Sequence, residues 1–114
     1  MLADVQFTRS GGALVARLTG EVDSSNAASL RTAITEATPN QSLAVILDLS
    51  GIGYLDSAGI HLIYQLRSDL RTRGQSLRLV IPAGSPATDA LRLAGMWRHL
   101  ETVETLDAAL QGLD

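Results

Sequence analysis

Leu43-Ala44-Val45-Ile46-Leu47, running into Asp48-Leu49-Ser50-Gly51-Ile52-Gly53-Tyr54-Leu55-Asp56-Ser57-Ala58-Gly59-Ile60, is the stretch whose reading decides the fold. Its first five residues are the longest apolar run in the chain. An unbroken run of that length predicts a strand covered on both faces, since alternation is needed only where one face meets water. Asp48 through Gly59 predicts a loop. From Ser57 to Arg73 the spacing turns helical: Ile60, Leu62, Ile63, Leu66 and Leu70 share one face, and His61, Gln65, Ser68 and Asp69 the opposite one. Gly74 is placed to cap that helix. Strand, loop and helix in this order form half of a parallel βαβ unit.

The flanks agree with that reading. On the N-terminal side, Val5 and Phe7 alternate with Gln6 and Thr8. Leu14, Ala16 and Leu18 then alternate with Val15, Arg17 and Thr19 beyond the turn Ser10-Gly11-Gly12. Two half-buried strands about a Gly-Gly turn predict a β-hairpin. Ala27, Leu30, Ile34 and Ala37 fall at helical spacing within Asn26–Ala37, with Asp23, Ser24 and Ser25 available as caps and Pro39-Asn40 as the stop. On the C-terminal side, Leu77–Ile81 predicts a strand stopped by Pro82. Ser85-Pro86 opens a helix ending near Gly95. A short strand around Thr102-Val103 precedes a last helix carrying Leu106, Ala109 and Leu110, capped by Thr105. The order β-β-α-β-α-β-α-β-α predicts an α/β domain with a mixed sheet: an antiparallel hairpin first, parallel strands after it. Ligands and chemistry in such folds gather at the carboxyl ends of strands. The loops Gly20-Glu21-Val22-Asp23-Ser24 and Asp48–Gly59 emerge there.

Composition narrows the function. The 114 residues suit one domain, 1–114, with 9 basic residues against 12 acidic ones and a net charge of −3. A mildly acidic chain lacks the basic footprint of nucleic-acid binding. The absence of cysteine excludes disulfides, thiolate metal sites and cysteine nucleophiles. No apolar run approaches the ~20 residues of a membrane helix, and no signal peptide is visible. A cytoplasmic protein with neither membrane nor direct nucleic-acid partners is expected. There is no phosphate-binding glycine motif, and His61 and His99 do not make a metal-binding pair, so no cofactor and no metal are expected.

The residue types that remain informative are Asp56, Ser57 and Gly59. Ser57 sits where a helix begins, and Gly59 falls in its first turn, where glycine implies a tight turn or a close backbone approach. Free amides there would favour a negative group, so a phosphate on Ser57 would be tolerated locally while facing Asp56 and Asp23. Asp and Ser are equally the favoured helix caps, and Asp23 has the same bland reading for the preceding helix. A serine hydrolase centred on Ser57 and His61 fails on two counts. Leu55 stands where the nucleophile elbow needs glycine, and no third orienting group is evident.

The segment D-L-S-G-I-G-Y-L-D-S-A-G-I at 48–60 resembles the signature of anti-sigma factor antagonists of the STAS domain family. Leu18-Thr19-Gly20-Glu21-Val22-Asp23 is similar to the family's second-strand segment. The resemblance implies a STAS-like mixed sheet with four to five helices packed mainly on one side. It also implies a non-enzymatic partner switch. The unmodified protein binds an anti-sigma factor with serine kinase activity, phosphorylation of Ser57 releases it, and a phosphatase resets the cycle. Residue by residue, the resemblance assigns the phosphoacceptor to Ser57 and partner contacts to Asp23, Asp56, Ser57 and Gly59. Ala58 departs from the second serine that many members carry. The alternative within the family is a scaffold subunit of a lipid-transport or other complex, in which Ser57 only caps the helix.

Overall fold

In the computed structural model, residues 3–93, 95 and 100–113 are described. Their elements are β1 (Ala3–Ser10), β2 (Ala13–Val22), α1 (Ala27–Ala37), β3 (Ala44–Leu55), α2 (Ser57–Thr72), β4 (Ser76–Val80), α3 (Pro86–Leu93), β5 (Thr102–Val103) and α4 (Leu106–Leu110). The strands lie in the sheet in chain order, β1-β2-β3-β4-β5. Only β1 and β2 are antiparallel; every other pair is parallel. Right-handed crossovers that all step the same way across a sheet leave their helices on one face. Leu30 and Ile34 of α1, Leu62, Ile63, Leu66 and Leu70 of α2, and Ala87 and Leu91 of α3 therefore share one core with Leu14, Leu18, Val45, Leu47 and Leu79. The opposite face of β2, β3 and β4 (Ala13, Val15, Ala44, Ile46, Val80) is covered by α4 through Ala109, with Leu113 beyond it. Arg78 holds that helix in place by donating to the carbonyls of Ala109 (2.8 Å) and Gln111 (3.0 Å). Ala44–Leu47 are thus fully buried from both sides, as the apolar run predicts.

The hairpin turn at 11–12 and the caps at Gly74 and Thr105 also form as expected. Gly11 and Gly74 have φ of 57° and 73°, and the Thr105 hydroxyl accepts from the Ala108 amide at 3.2 Å. Three expectations are corrected. Leu43 precedes β3 and is 57% exposed, and Phe7 on the edge strand β1 is 37% exposed. More consequentially, Asp48–Leu55 is strand, where the sequence predicts a loop. β2 continues to Val22 and keeps β3 paired beside it, with Thr19 opposite Gly51, Gly20 opposite Ile52 and Val22 opposite Leu55. The register shifts between Arg17 and Thr19 and again between Gly20 and Glu21. At each shift β3 takes an extra residue, as in a β-bulge. Asp48 fastens the first by accepting from the Ser50 amide (3.0 Å) and hydroxyl (2.7 Å). Gly51 lets the strands close there, since a Cβ would lie 2.8 Å from the Thr19 methyl. His99, named above with His61, lies outside the described residues.

α1 and α2 are tied by a bidentate ion pair in which Arg31 Nε and Nη2 donate to the two Asp69 carboxylate oxygens, each at 2.8 Å. The guanidinium, mainly through its hydrogen bonds, holds the Asp69 carboxyl below its usual range. The unfolded chain then binds more protons than the folded one between the lowered value and the ordinary carboxylate value of ~3.9, and stability falls with pH across that window. Urea unfolding followed by circular dichroism should therefore show the native chain losing stability as the pH falls through that window, a loss that Asp69→Asn lacks at this site. That variant should show a shallower stability slope below about pH 4.

Candidate functional site

The pairing of Val22 with Leu55 releases two loops from the sheet side by side, and the Asp56 amide donates back to the Val22 carbonyl at 3.3 Å. Asp56 then caps α2. Its Oδ1 accepts from the amides of Ala58 (2.9 Å) and Gly59 (3.1 Å). The cap reading thus belongs to Asp56. Ser57 is the first residue of the helix, exposed, and its hydroxyl has no hydrogen-bond partner among the described residues. Two of the amides expected to be free for an added negative group, those of Ala58 and Gly59, are already taken by the Asp56 carboxylate.

Asp23 lies across the same rim. Its carboxylate accepts from the Ser25 amide (2.8 Å) and from the Ser25 hydroxyl, and these bonds, the hydroxyl's first, hold it below the usual carboxylate range. The expected capping of α1 by Asp23 is made by its backbone instead: the carbonyl accepts from the Ala27 amide at 3.0 Å. Asn26 occupies the cap position without a side-chain cap bond. Its amide group braces the loop, with Nδ2 donating to the Glu21 carbonyl (2.9 Å) and Oδ1 accepting from the Asp23 amide (3.1 Å). A side chain already spent on the loop cannot also cap the helix.

Asp23 and Asp56 border one shallow depression together with Glu21, Ser24, Ser25, Gly53 and Tyr54. Tyr54, 47% exposed, is a site residue that sequence reasoning missed. The signal present in the sequence was its residue type alone, an aromatic two residues before Asp56, since aromatic side chains anchor protein interfaces. A second groove, about 720 Å³, runs between α1 and α2, with Ala27, Ala28 and Arg31 on one wall and Ala58, His61 and Asp69 on the other. Ser57 stands between the two depressions: its neighbours Asp56 and Ala58 border one each, and Ser24 borders both. Gly59 is buried and faces inward. A Cβ there would lie 2.3 Å and 3.0 Å from Leu55 side-chain atoms and 3.1 Å from Val22. Its glycine admits the helix against the ends of β2 and β3, the close approach that the sequence implies. No group of three or more metal-ligating side chains occurs among the described residues.

Comparison with known proteins gives this arrangement its class. The STAS domain family matches residues 4–109, and the chain belongs to that family. It is 30% identical over 103 residues, 90% of this chain and 82% of the relative, to the anti-sigma-F factor antagonist RsfB of Mycobacterium tuberculosis. Among solved structures it is similar to an anti-sigma factor antagonist from Mycobacterium paratuberculosis, with a TM-score of 0.84 and 22% identity over 98% of this chain and 94% of the other. The Bacillus cell fate determinant SpoIIAA in its phosphorylated form has a TM-score of 0.67 at 18% identity, over 97% of this chain and all (100%) of that one.

Two substitutions separate cap from surface. Asp56→Ala should destabilise the fold by about 1 kcal/mol, the usual worth of a helix cap, whereas Ser57→Ala should stay within about 0.5 kcal/mol of the native chain in urea unfolding. Gly59→Ala sets a helix-propensity gain of at most about 1 kcal/mol against overpacking that costs about 1–3 kcal/mol. A net loss in the same measurement, with Leu55 displaced in a crystal structure of the variant, is the expected outcome.

Proposed function

We propose that this chain is an anti-sigma factor antagonist. In this reading it binds an anti-sigma factor with serine kinase activity while Ser57 is unmodified, and is released when that kinase phosphorylates Ser57. The observation that carries the reading is the Ser57 hydroxyl, exposed and unengaged beside a carboxylate that performs the capping. A serine with a structural duty would be occupied; this one is open to a kinase. The names of the relative RsfB and of the similar structures support the same role.

The switch is electrostatic. Asp23, Asp56 and Ser57 form the contact rim with Tyr54 as its apolar anchor, and Gly59 serves it from below by seating α2. A phosphate adds about −1.5 to −2 charges at pH 7. On a rim that already holds Asp23 and Asp56, that charge repels a partner surface shaped for the unmodified serine, and it must be desolvated for the complex to persist. Costs of about 2–5 kcal/mol for an uncompensated charge at an interface weaken affinity from about 30-fold to several thousandfold. No domain movement is required, because the modified atom lies in the contact. A phosphatase restores the binding form. In this reading the protein is a binding module, and among the described residues no third group orients Ser57 and His61 as a nucleophile pair.

Incubation with the anti-sigma kinase and ATP, followed by mass spectrometry, should place one phosphate on Ser57 and none on Ser57→Ala. Titration calorimetry should show Ser57→Ala binding the kinase like the native chain and Ser57→Glu binding it at least about 30-fold more weakly. Phosphate on another residue, or equal binding by Ser57→Glu, overturns the proposal. The second of these outcomes favours a constitutive scaffold role.

A further inference from the structure

A phosphate on Ser57 meets a surface with few donors left for it. The first-turn amides of Ala58 and Gly59 are engaged by Asp56, and the Asp56 and Asp23 carboxylates stand on the same rim. One turn along α2 lies His61. Side chains four residues apart on a helix have Cβ atoms about 5–6 Å apart. The later one leans back toward the helix start, so an imidazole at 61 overhangs the position of a group on Ser57. His61 is exposed on the wall of the α1–α2 groove and has no hydrogen-bond or ion-pair partner among the described residues.

The other charged groups along that groove are already engaged. Arg31 of α1 holds Asp69 of α2 in the bidentate pair. Arg73, just after α2, donates to the carbonyl of Thr38 and the side chain of Asn40, each at 2.9 Å. On the far side of Ser57 the facing groups are Asp56 and Asp23, both repulsive to phosphate. His61 is therefore the one basic group at the groove that can turn toward Ser57 without breaking an existing contact among the described residues.

We propose that His61 is the intramolecular receptor of phosphoserine at position 57, drawing the phosphate over the α1–α2 groove and away from Asp56 and Asp23. The inference rests on the assignment of Ser57 as phosphoacceptor. The contact is one between opposite charges at an exposed position, so added salt weakens it.

The test uses the full chain with phosphoserine placed at position 57 by translational incorporation, so that it does not depend on any kinase. Phosphorus NMR titrations of this protein and of its His61→Gln and His61→Arg forms are compared. In the His61-containing protein the phosphate should titrate on the order of half a unit below its value in His61→Gln, the direction a nearby cation imposes. His61→Arg should keep the low midpoint, and added salt should erase the difference. Coincident midpoints for the native and His61→Gln proteins overturn the inference. Because His61 is exposed, equal urea stability of the unphosphorylated forms is expected and establishes that the comparison is between folded proteins. Failure of a kinase to label Ser57 would instead strike the proposed function while leaving this measurement interpretable.

Discussion

Everything at the site depends on the parallel pairing of β2 with β3 being held, through two irregularities of register, out to Val22 opposite Leu55. Backbone hydrogen bonding along that edge decides where both chains leave the sheet. It sets Asp23 and Asp56 on one rim and starts α2 directly above the strand ends. The seat of α2 is equally constrained, since only a residue without a Cβ fits where Gly59 meets Leu55 and Val22. A shift at any of these contacts would move Ser57 relative to Asp23, and with it the charge pattern that a partner meets.

In the proposed function, capping and signalling are divided between adjacent residues. Asp56 satisfies the helix amides, which frees the Ser57 hydroxyl from structural duty. That division lets a surface serine be modified without unravelling the helix that presents it. It also means that the added charge is not absorbed by the helix terminus and must be answered from elsewhere, by repulsion of a partner or by a cation one turn away. The rigid groups around it, the Arg31–Asp69 pair and the Asn26 brace, keep the two loops and two helices in fixed relation while only the charge changes.

The legible parts of the sequence were those with a sustained period. α2 was readable from Ile60 to Leu70, and the hairpin from its alternation about Gly11-Gly12. Ser57, Asp56 and Asp23 were legible as residue types in the right order along the chain. The second half of β3 was not. Its core-facing residues, Leu47, Leu49, Ile52 and Leu55, are spaced by two and then by three, because each extra residue taken by β3 flips the alternation. That spacing matches neither strand nor helix, and the two glycines within it read as a loop. The assignment of the cap was hidden for a different reason: Asp and Ser are interchangeable as capping types, and only the backbone position decides which one reaches the amides.

By itself, the sequence determined the elements and their order, since periodic burial and turn chemistry are local properties of the chain. The same local properties marked the strand-to-helix junction that holds Asp56, Ser57 and Gly59. Tertiary structure alone decided that the loops of Asp23 and Asp56 share a rim and that Tyr54 stands exposed beside them. Those outcomes come from contacts between segments far apart in the chain. A register or a cap exists only once the neighbouring strand and helix are in place to compete for it.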